Sequence, residues 1–139
     1  LSPNEQVRRA IAAARQMYQA LETLNQRWSQ QGVPAVKFRC GIHQGTAVVG
    51  MFGSAERTDY TAIGPSVNIA ARLQEAADGE SILVSAAVAD YLDEQEIVKF
   101  SPLQLKGIDE TVLTFNVKTT LPDVETFHGT SLPKSAPRV

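Results

Sequence analysis

From Val7 to Trp28, apolar residues recur at three- and four-residue spacing. Val7, Ala10, Ile11, Ala14, Met17, Tyr18, Leu21, Leu24 and Trp28 share one stripe, and Arg8, Arg9, Arg15, Gln19, Glu22 and Gln26 lie off it. That period predicts a long amphipathic helix. Ser2, Pro3 and Glu5 have the form of a capping box with proline at the first helical position, so the helix is predicted to start there and to end near Gly32. The stripe, Met17 and Trp28 included, is assigned to packing against a sheet and given no chemistry.

At Val36 the period changes to two. Val36, Phe38, Cys40 and Ile42 alternate with Lys37, Arg39 and His43, which predicts a half-buried strand. Gln44-Gly45 is expected to turn the chain into a returning strand over Thr46 to Met51. Gly53 to Arg57 then interrupts the pairing before Thr58 to Ile63 resume an extended pattern, which makes this stretch a hairpin excursion. Gly64-Pro65-Ser66 signals a second helix running to about Ala77, closed by Asp78-Gly79 as a left-handed C-cap. A buried strand over Ser81 to Val84 and a short helix over Ser85 to Leu92 follow. Glu96 to Phe100, Leu103 to Leu105 and Thr111 to Val117 are expected to finish the sheet, with Lys106 to Asp109 as a turn. The order suits an α+β sandwich, a mostly antiparallel sheet covered by helices. Residues 1–119 form one expected domain. Residues 120–139 hold three of the seven prolines and little periodicity, and read as a tail or linker.

Composition narrows the function. At 139 residues and 43% hydrophobic content the chain can build one core. Thirteen basic against fifteen acidic residues, a formal charge of −2, give no broad positive field, so nucleic acid is not an expected partner. A single cysteine, Cys40, forms no internal disulfide. No run approaches the roughly 18 to 20 apolar residues that cross a bilayer, so no direct membrane contact is expected and the segment reads as cytoplasmic. The first residues, Leu1 to Glu5, enter a helix pattern with no signal-peptide features, as though a longer protein preceded them.

Asn68 and Arg72 stand four apart on the second helix, so an amide and a guanidinium project from one face, one turn apart. The amide both donates and accepts, and the guanidinium offers a fork of donors that matches phosphate oxygens, so the pair suits a sugar-phosphate. The plainer alternative, a solvated polar face, stays open on spacing alone. Lys106 beside Gly107 could bring an ammonium to phosphate or could be an ordinary turn lysine. His43 and His128 are far apart without a ligand cluster, so zinc is not expected, and neither a Gly-x-Ser-x-Gly elbow nor a P-loop is present.

Three blocks carry a family resemblance: Phe38 to Gly45, Val49 to Ser54 and Arg57 to Leu73, with Leu105-Lys106-Gly107-Ile108 as a fourth. Together they resemble the class III adenylyl and guanylyl cyclases, in particular bacterial and cyanobacterial catalytic domains, over their C-terminal two-thirds. The resemblance implies a ferredoxin-like α/β sandwich of the nucleotidyl cyclase type. It implies conversion of ATP to 3′,5′-cyclic AMP and pyrophosphate at the interface of a head-to-tail homodimer. By resemblance, Asn68 orients the ribose, Arg72 stabilises charge on the α-phosphate, Lys106 holds the terminal phosphates and Thr61 reads the purine. Threonine at position 61 favours ATP over GTP, although its hydroxyl can also donate to a guanine O6. Pro65 departs from the commoner acidic residue after Gly64. The family's two Mg²⁺ or Mn²⁺ ions are held by aspartates placed before the long helix. Those ligands are expected upstream of Leu1, and no metal ligand is expected within this chain. Guanylate cyclase and a non-catalytic pairing domain are the alternatives.

Overall fold

The computed structural model describes residues 1–53, 58–104 and 111–119. The elements are α1 (Pro3–Gln30), β1 (Cys40–Ile42), β2 (Val48–Gly53), β3 (Thr58–Ile63), α2 (Pro65–Ala76), β4 (Ile82–Ser85), α3 (Ala86–Ala89), β5 (Ile97–Lys99), β6 (Leu103–Gln104), β7 (Thr111–Val112) and β8 (Thr114–Val117). The fold is α+β.

The predicted capping box opens α1: Ser2 Oγ accepts from the Glu5 amide at 3.2 Å and Glu5 Oε2 accepts from the Ser2 amide at 3.1 Å. Gly32, at φ +79°, follows the helix end in the left-handed conformation that glycine adopts most readily. The main sheet has the order β1-β4-β8-β5, with β1 parallel to β4 and both other pairs antiparallel. Strand β4 lies at its centre, buried along its whole length, which is why its apolar run is continuous. Ile82 and Val84 face Val7, Ile11 and Ala14 of α1, together with Val88, Leu92 and Val117. Leu83 faces the other way, onto Leu73 and Ala77 at the end of α2. The sheet is thus held between α1 and α2, each covering one face.

Several expectations are corrected. The stripe of α1 is fully buried only in its first half, and Tyr18, Leu21 and Trp28 beyond it are partly buried. Val7, Ile11 and Ala14 are buried, whereas Met17 is 51% exposed and Leu24 is also exposed. A helix of 28 residues is about 42 Å long at 1.5 Å per residue, more than a sheet of short strands can cover. The strand predicted from Val36 is confined to Cys40–Ile42. Val36 is held instead by a side chain: Asn25 Nδ2 donates to its carbonyl and Asn25 Oδ1 accepts from its amide, both at 2.8 Å. Phe38 stacks on Tyr18, ring centroids 4.2 Å apart, and the Tyr18 hydroxyl lies 2.8 Å from the carbonyls of both Phe38 and Ser81. Burial, with Cys40 and Glu80 nearby, pushes that phenol up to about 12, so it remains a donor.

Gln44-Gly45 does not fold β2 back onto β1. Gln44 Nε2 donates to the Pro3 carbonyl and to Gln6 Oε1, which ties the segment to the start of α1. Strand β2 pairs with β3 in a separate two-stranded ribbon, from Val48 opposite Ile63 to Gly53 opposite Thr58. The left-handed residue after α2 is Glu80, at φ 65°, not Gly79. Its amide donates to the Phe38 carbonyl at 3.1 Å. The last predicted strands do not all join the main sheet, because β6 and β7 form their own small ladder. The predicted turn at Lys106 to Asp109 and the tail over 120–139 lie outside the described residues.

Two contacts fix the helices. Glu96, 4% exposed, accepts from Arg8 at 3.0 Å, from Arg15 at 3.3 Å and from the Asp93 amide at 2.9 Å, and Arg15 Nε also donates to the Lys118 carbonyl. This carboxylate joins α1 to the far edge of the sheet. Burial pushes its pKa up, but the Asp93 amide and the two guanidiniums outweigh that and hold it below its ordinary value. At the opposite edge, α2 lies directly on β1 at Gly41. A β-carbon built there would fall 2.6 Å from the Ala70 carbonyl oxygen and 2.9 Å from the Gln74 α-carbon, against main chain that cannot swing aside.

Replacing Glu96 with Gln leaves two guanidiniums without a counter-charge and is expected to remove about 3 kcal/mol of stability in urea unfolding at neutral pH. The depressed carboxyl contributes this stability fully above its ordinary value of 4.5 and loses it as pH falls through the lower folded-state value. The gap between wild type and Glu96→Gln should therefore close on acidification, and a gap independent of pH would reject the ion-pair account. Gly41→Val should lower stability by about 2–3 kcal/mol through overpacking. Gly79→Ala, where a β-carbon meets nothing within 4 Å, should be nearly neutral.

Candidate functional site

Helix α2 carries the candidate residues, and its seating decides where they point. Ser66, Ala70 and Gln74 recur every four residues and form the face that lies over the Gly41 to Gly45 segment. A β-carbon on Gly45 would strike Ser66 Oγ and lie 3.3 Å from His43 Nε2, so this end of the helix is also packed at glycine distance. Ile69, Leu73 and Ala76 turn toward the core beside Leu83. Asn68 and Arg72 occupy the remaining arc, and both are exposed.

The start of α2 is open. Gly64, at φ 137°, is its N-cap, Pro65 takes the first position, and no side chain caps the first-turn amides. Pro65 preserves the helix start, as expected from its fixed φ. The Asn68 amide side chain makes no hydrogen bond among the described residues. Arg72 Nη1 lies 3.4 Å from Glu75 Oε1, one turn further on, with both side chains about half exposed or more. An ion pair so open to water holds the guanidinium weakly.

Thr61 sits on the ribbon, opposite Gly50 and exposed, and its side chain makes no hydrogen bond among the described residues. The ribbon reaches Ile63, immediately before Gly64 and α2, so purine-reading and phosphate-facing candidates are separated by one short stretch of chain. Lys106, the fourth candidate, lies outside the described residues. The structure therefore brings Asn68 and Arg72 together on one face, with Thr61 on the adjoining strand.

The ribbon is unusually apolar for a surface element. Tyr60 is 73% exposed and Met51 61%, and Val48, Val49 and Ile63 are exposed as well, with Val67 at the start of α2 adding to them. Exposed apolar clusters of this size are typical of surfaces that pack against further protein. A groove of about 890 Å³ along the second half of α1, lined by Tyr18, Glu22, Asn25 and Glu80 among others, touches none of the candidate residues.

Three features of the site escaped the sequence reading. Gly41 as the seat of α2 had one available signal, a glycine inside a predicted strand, which often marks close backbone approach. The 2.6 Å contact of His43 Nδ1 with Ser85 Oγ, across the end of β1 to the start of α3, joins residues far apart in sequence and had none. Burial lowers the His43 pKa. The Arg72–Glu75 pair could have been found from its three-residue spacing.

No three histidine, cysteine, aspartate or glutamate side chains converge on a metal position among the described residues. The described residues do not by themselves fit a pair of divalent cations. The metal-binding aspartates expected upstream of Leu1 are outside these 139 residues. Leu1 itself is exposed, and its carbonyl accepts from Gln6 Nε2 at 3.1 Å. Gln6 Oε1 accepts in turn from Gln44, so the chain at Leu1 is tied to the segment that follows β1. No helix among the described residues is long and apolar enough to cross a membrane.

Residues 2–119 match the profile of the adenylate and guanylate cyclase catalytic domain. Adenylate cyclase 1 of Rhizobium meliloti (strain 1021) is 42% identical over 96 residues, covering 68% of this chain and 14% of that protein. The crystal structure of the adenylyl cyclase CyaB from P. aeruginosa superposes with a TM-score of 0.70 at 32% identity, covering 78% of this chain and 58% of that one. That of the guanylyl cyclase Cya2 gives 0.69 at 28% identity, covering 80% and 57%. The chain spans about one-seventh of the length of the Rhizobium protein and less than two-thirds of either solved chain. With the matched profile covering the whole described fold, the chain belongs to the family of adenylate and guanylate cyclase catalytic domains.

Proposed function

We propose that this chain supplies the phosphate-facing and purine-reading residues of an adenylate cyclase that converts ATP to 3′,5′-cyclic AMP and pyrophosphate. One observation carries the reading: Asn68 and Arg72 stand one turn apart on the exposed face of a helix seated rigidly on β1, with Thr61 on the strand that leads into it.

In the reaction the ribose 3′-oxygen forms a bond to the α-phosphorus and the bond from that phosphorus to the β-phosphate oxygen breaks. Pyrophosphate leaves and the 3′-hydroxyl proton is lost to solvent or base. Asn68 hydrogen-bonds the ribose and limits the approach of the 3′-oxygen. Arg72 leaves the carboxylate of Glu75 and donates to the α-phosphoryl oxygens, where charge grows during attack. Lys106 holds the terminal phosphates. The Thr61 hydroxyl accepts from the adenine amino group.

The apolar ribbon supports a homodimer in which each copy covers Tyr60 and Met51 of the other and the two copies stand head to tail. Two Mg²⁺ or Mn²⁺ ions are held by carboxylates upstream of Leu1, and the domain works in the cytoplasm. Guanylate cyclase is the second reading, favoured by the capacity of Thr61 to donate to a guanine O6 and by the likeness to the guanylyl cyclase Cya2.

In the intact protein, Arg72→Ala should cut turnover by roughly 10² to 10³ while the dimer stays folded, as loss of an oxyanion donor does. Unchanged turnover would remove Arg72 from the reaction. With ATP and GTP in competition, cyclic AMP should dominate, and a preference for cyclic GMP would transfer the assignment to guanylate cyclase. The 139-residue chain by itself, given Mn²⁺ and ATP, should form no product, and product formation would refute the placement of the metal ligands upstream of Leu1.

A further inference from the structure

Glycine occurs at position 50 in the interior of β2, where it weakens a strand by its backbone freedom and by the lack of a side chain to pack. Neither of the usual local reasons applies. The left-handed glycines are Gly32, Gly53 and Gly64, so the backbone at position 50 is one that other residues adopt. A β-carbon there would come no nearer than 3.7 Å to any described atom, and would meet Phe52 Cε2 and Cζ at ordinary contact distance. Gly41 differs sharply, since main chain forbids any side chain at that position. Among the described residues, nothing requires the glycine at 50.

The register shows what the missing side chain leaves open. Gly50 stands directly opposite Thr61, so both belong to one face of the ribbon. Val48 and Ile63 form the next pair on that face, toward α2, and Phe52 and Asp59 the next pair away from it. Same-face neighbours along a strand lie about 7 Å apart. The face therefore has an apolar wall of Val48 with Ile63 on one side, the Phe52 ring beside the exposed Asp59 on the other, and a floor made of Gly50 backbone next to Thr61. The opposite face pairs Val49 with Ala62 and Met51 with Tyr60, and carries no such gap. That face is the one suited to a protein partner.

We infer that Gly50 is a specificity-determining residue of the base site, its absent side chain forming the space into which the purine of the nucleotide slides to reach Thr61. The inference rests on the cyclase reading and adds to it. A flat ring with apolar faces and polar edges fits between Val48, Ile63 and Phe52 while its edge meets the hydroxyl. A methyl group on the floor lifts the ring away from Thr61 without touching the residues on α2. Gly50 thus acts on base binding and not on the groups that meet the phosphates.

The test is a comparison of Gly50→Ala and Gly50→Val with the unsubstituted protein, each as the intact dimer at a concentration where sedimentation shows one species. KM for ATP is expected to rise about tenfold for alanine and further for valine, in line with the effect of a methyl group in a tight pocket, with kcat within about twofold. Thermal stability should be equal or higher, because a side chain replaces glycine in a strand. Competitive inhibition by inorganic triphosphate, which has no base, should be unchanged. A KM for Gly50→Val within about twofold of the unsubstituted value, equal weakening of triphosphate, or a loss of dimer that accounts for the change would each overturn the inference alone. Absence of turnover of any nucleoside triphosphate by the unsubstituted protein would overturn the cyclase reading, and this inference with it.

Discussion

Contact between the main chain of α2 and the main chain of β1 at Gly41 governs the rest of the site. Side-chain packing between a helix and a sheet leaves slack, because rotamers adjust to small shifts. Here the Ala70 carbonyl and the Gln74 backbone lie where a β-carbon would be, so the depth of the helix is set by atoms that have no rotamers. Gly45 extends the same tight seat to Ser66. The consequence falls on the opposite arc of α2, where the backbone that carries Asn68 and Arg72 is fixed while both side chains stay exposed. In the proposed function the pair stays hydrated until it meets a charged ligand, and rigidity is supplied from beneath.

The other helix is placed by apolar burial in its first half and by polar contacts along its length. The second half of α1 has little apolar burial, since Met17 and Leu24 face water and Tyr18, stacked on Phe38, is only partly buried. Its position depends on the buried carboxylate of Glu96 between Arg8 and Arg15, and on Asn25 and Tyr18, which bind the backbone of the segment entering β1. Polar contacts have narrow geometric tolerance, so they fix register along α1 where a hydrophobic face would allow sliding. Since β1 also supports α2, these contacts set the position of the strand on which the site helix rests.

Elements governed by local rules were legible in the sequence. The capping box, the terminal glycine of α1, the Pro65 start of α2 and the fully buried β4 each follow from residues within a few positions of one another. Strand partnership was not legible at β1 and β2. Gln44-Gly45 resembles a hairpin turn, but its geometry is decided by Pro3 and Gln6, some forty residues earlier. The extended pattern from Val36 was real, yet its backbone partners are the side chain of Asn25 and the amide of Glu80 rather than a ladder. For the site, the spacing of Asn68 and Arg72 was sufficient to place them on one face, and the motif blocks carried the family resemblance on which their proposed roles rest. The exposure that makes the pair usable needed the packing of Gly41, which no spacing rule contains.

Glycine has two opposite meanings within this short stretch. At position 41 it is required by the protein's own main chain, and at position 50 the protomer leaves room that it does not fill. The first kind gives the site its rigidity and the second gives it capacity. A ribbon with one apolar, side-chain-rich face and one gapped face can serve two different surfaces at once, a second protein on Met51 and Tyr60 and a flat ring beside Thr61. Because β3 runs straight into Gly64 and α2, whatever covers the apolar face also holds the strand that aims Thr61. Under the proposed function, association and base recognition are coupled through a single short ribbon, and that coupling would be a physical reason to place the nucleotide at the boundary between two copies and not inside one.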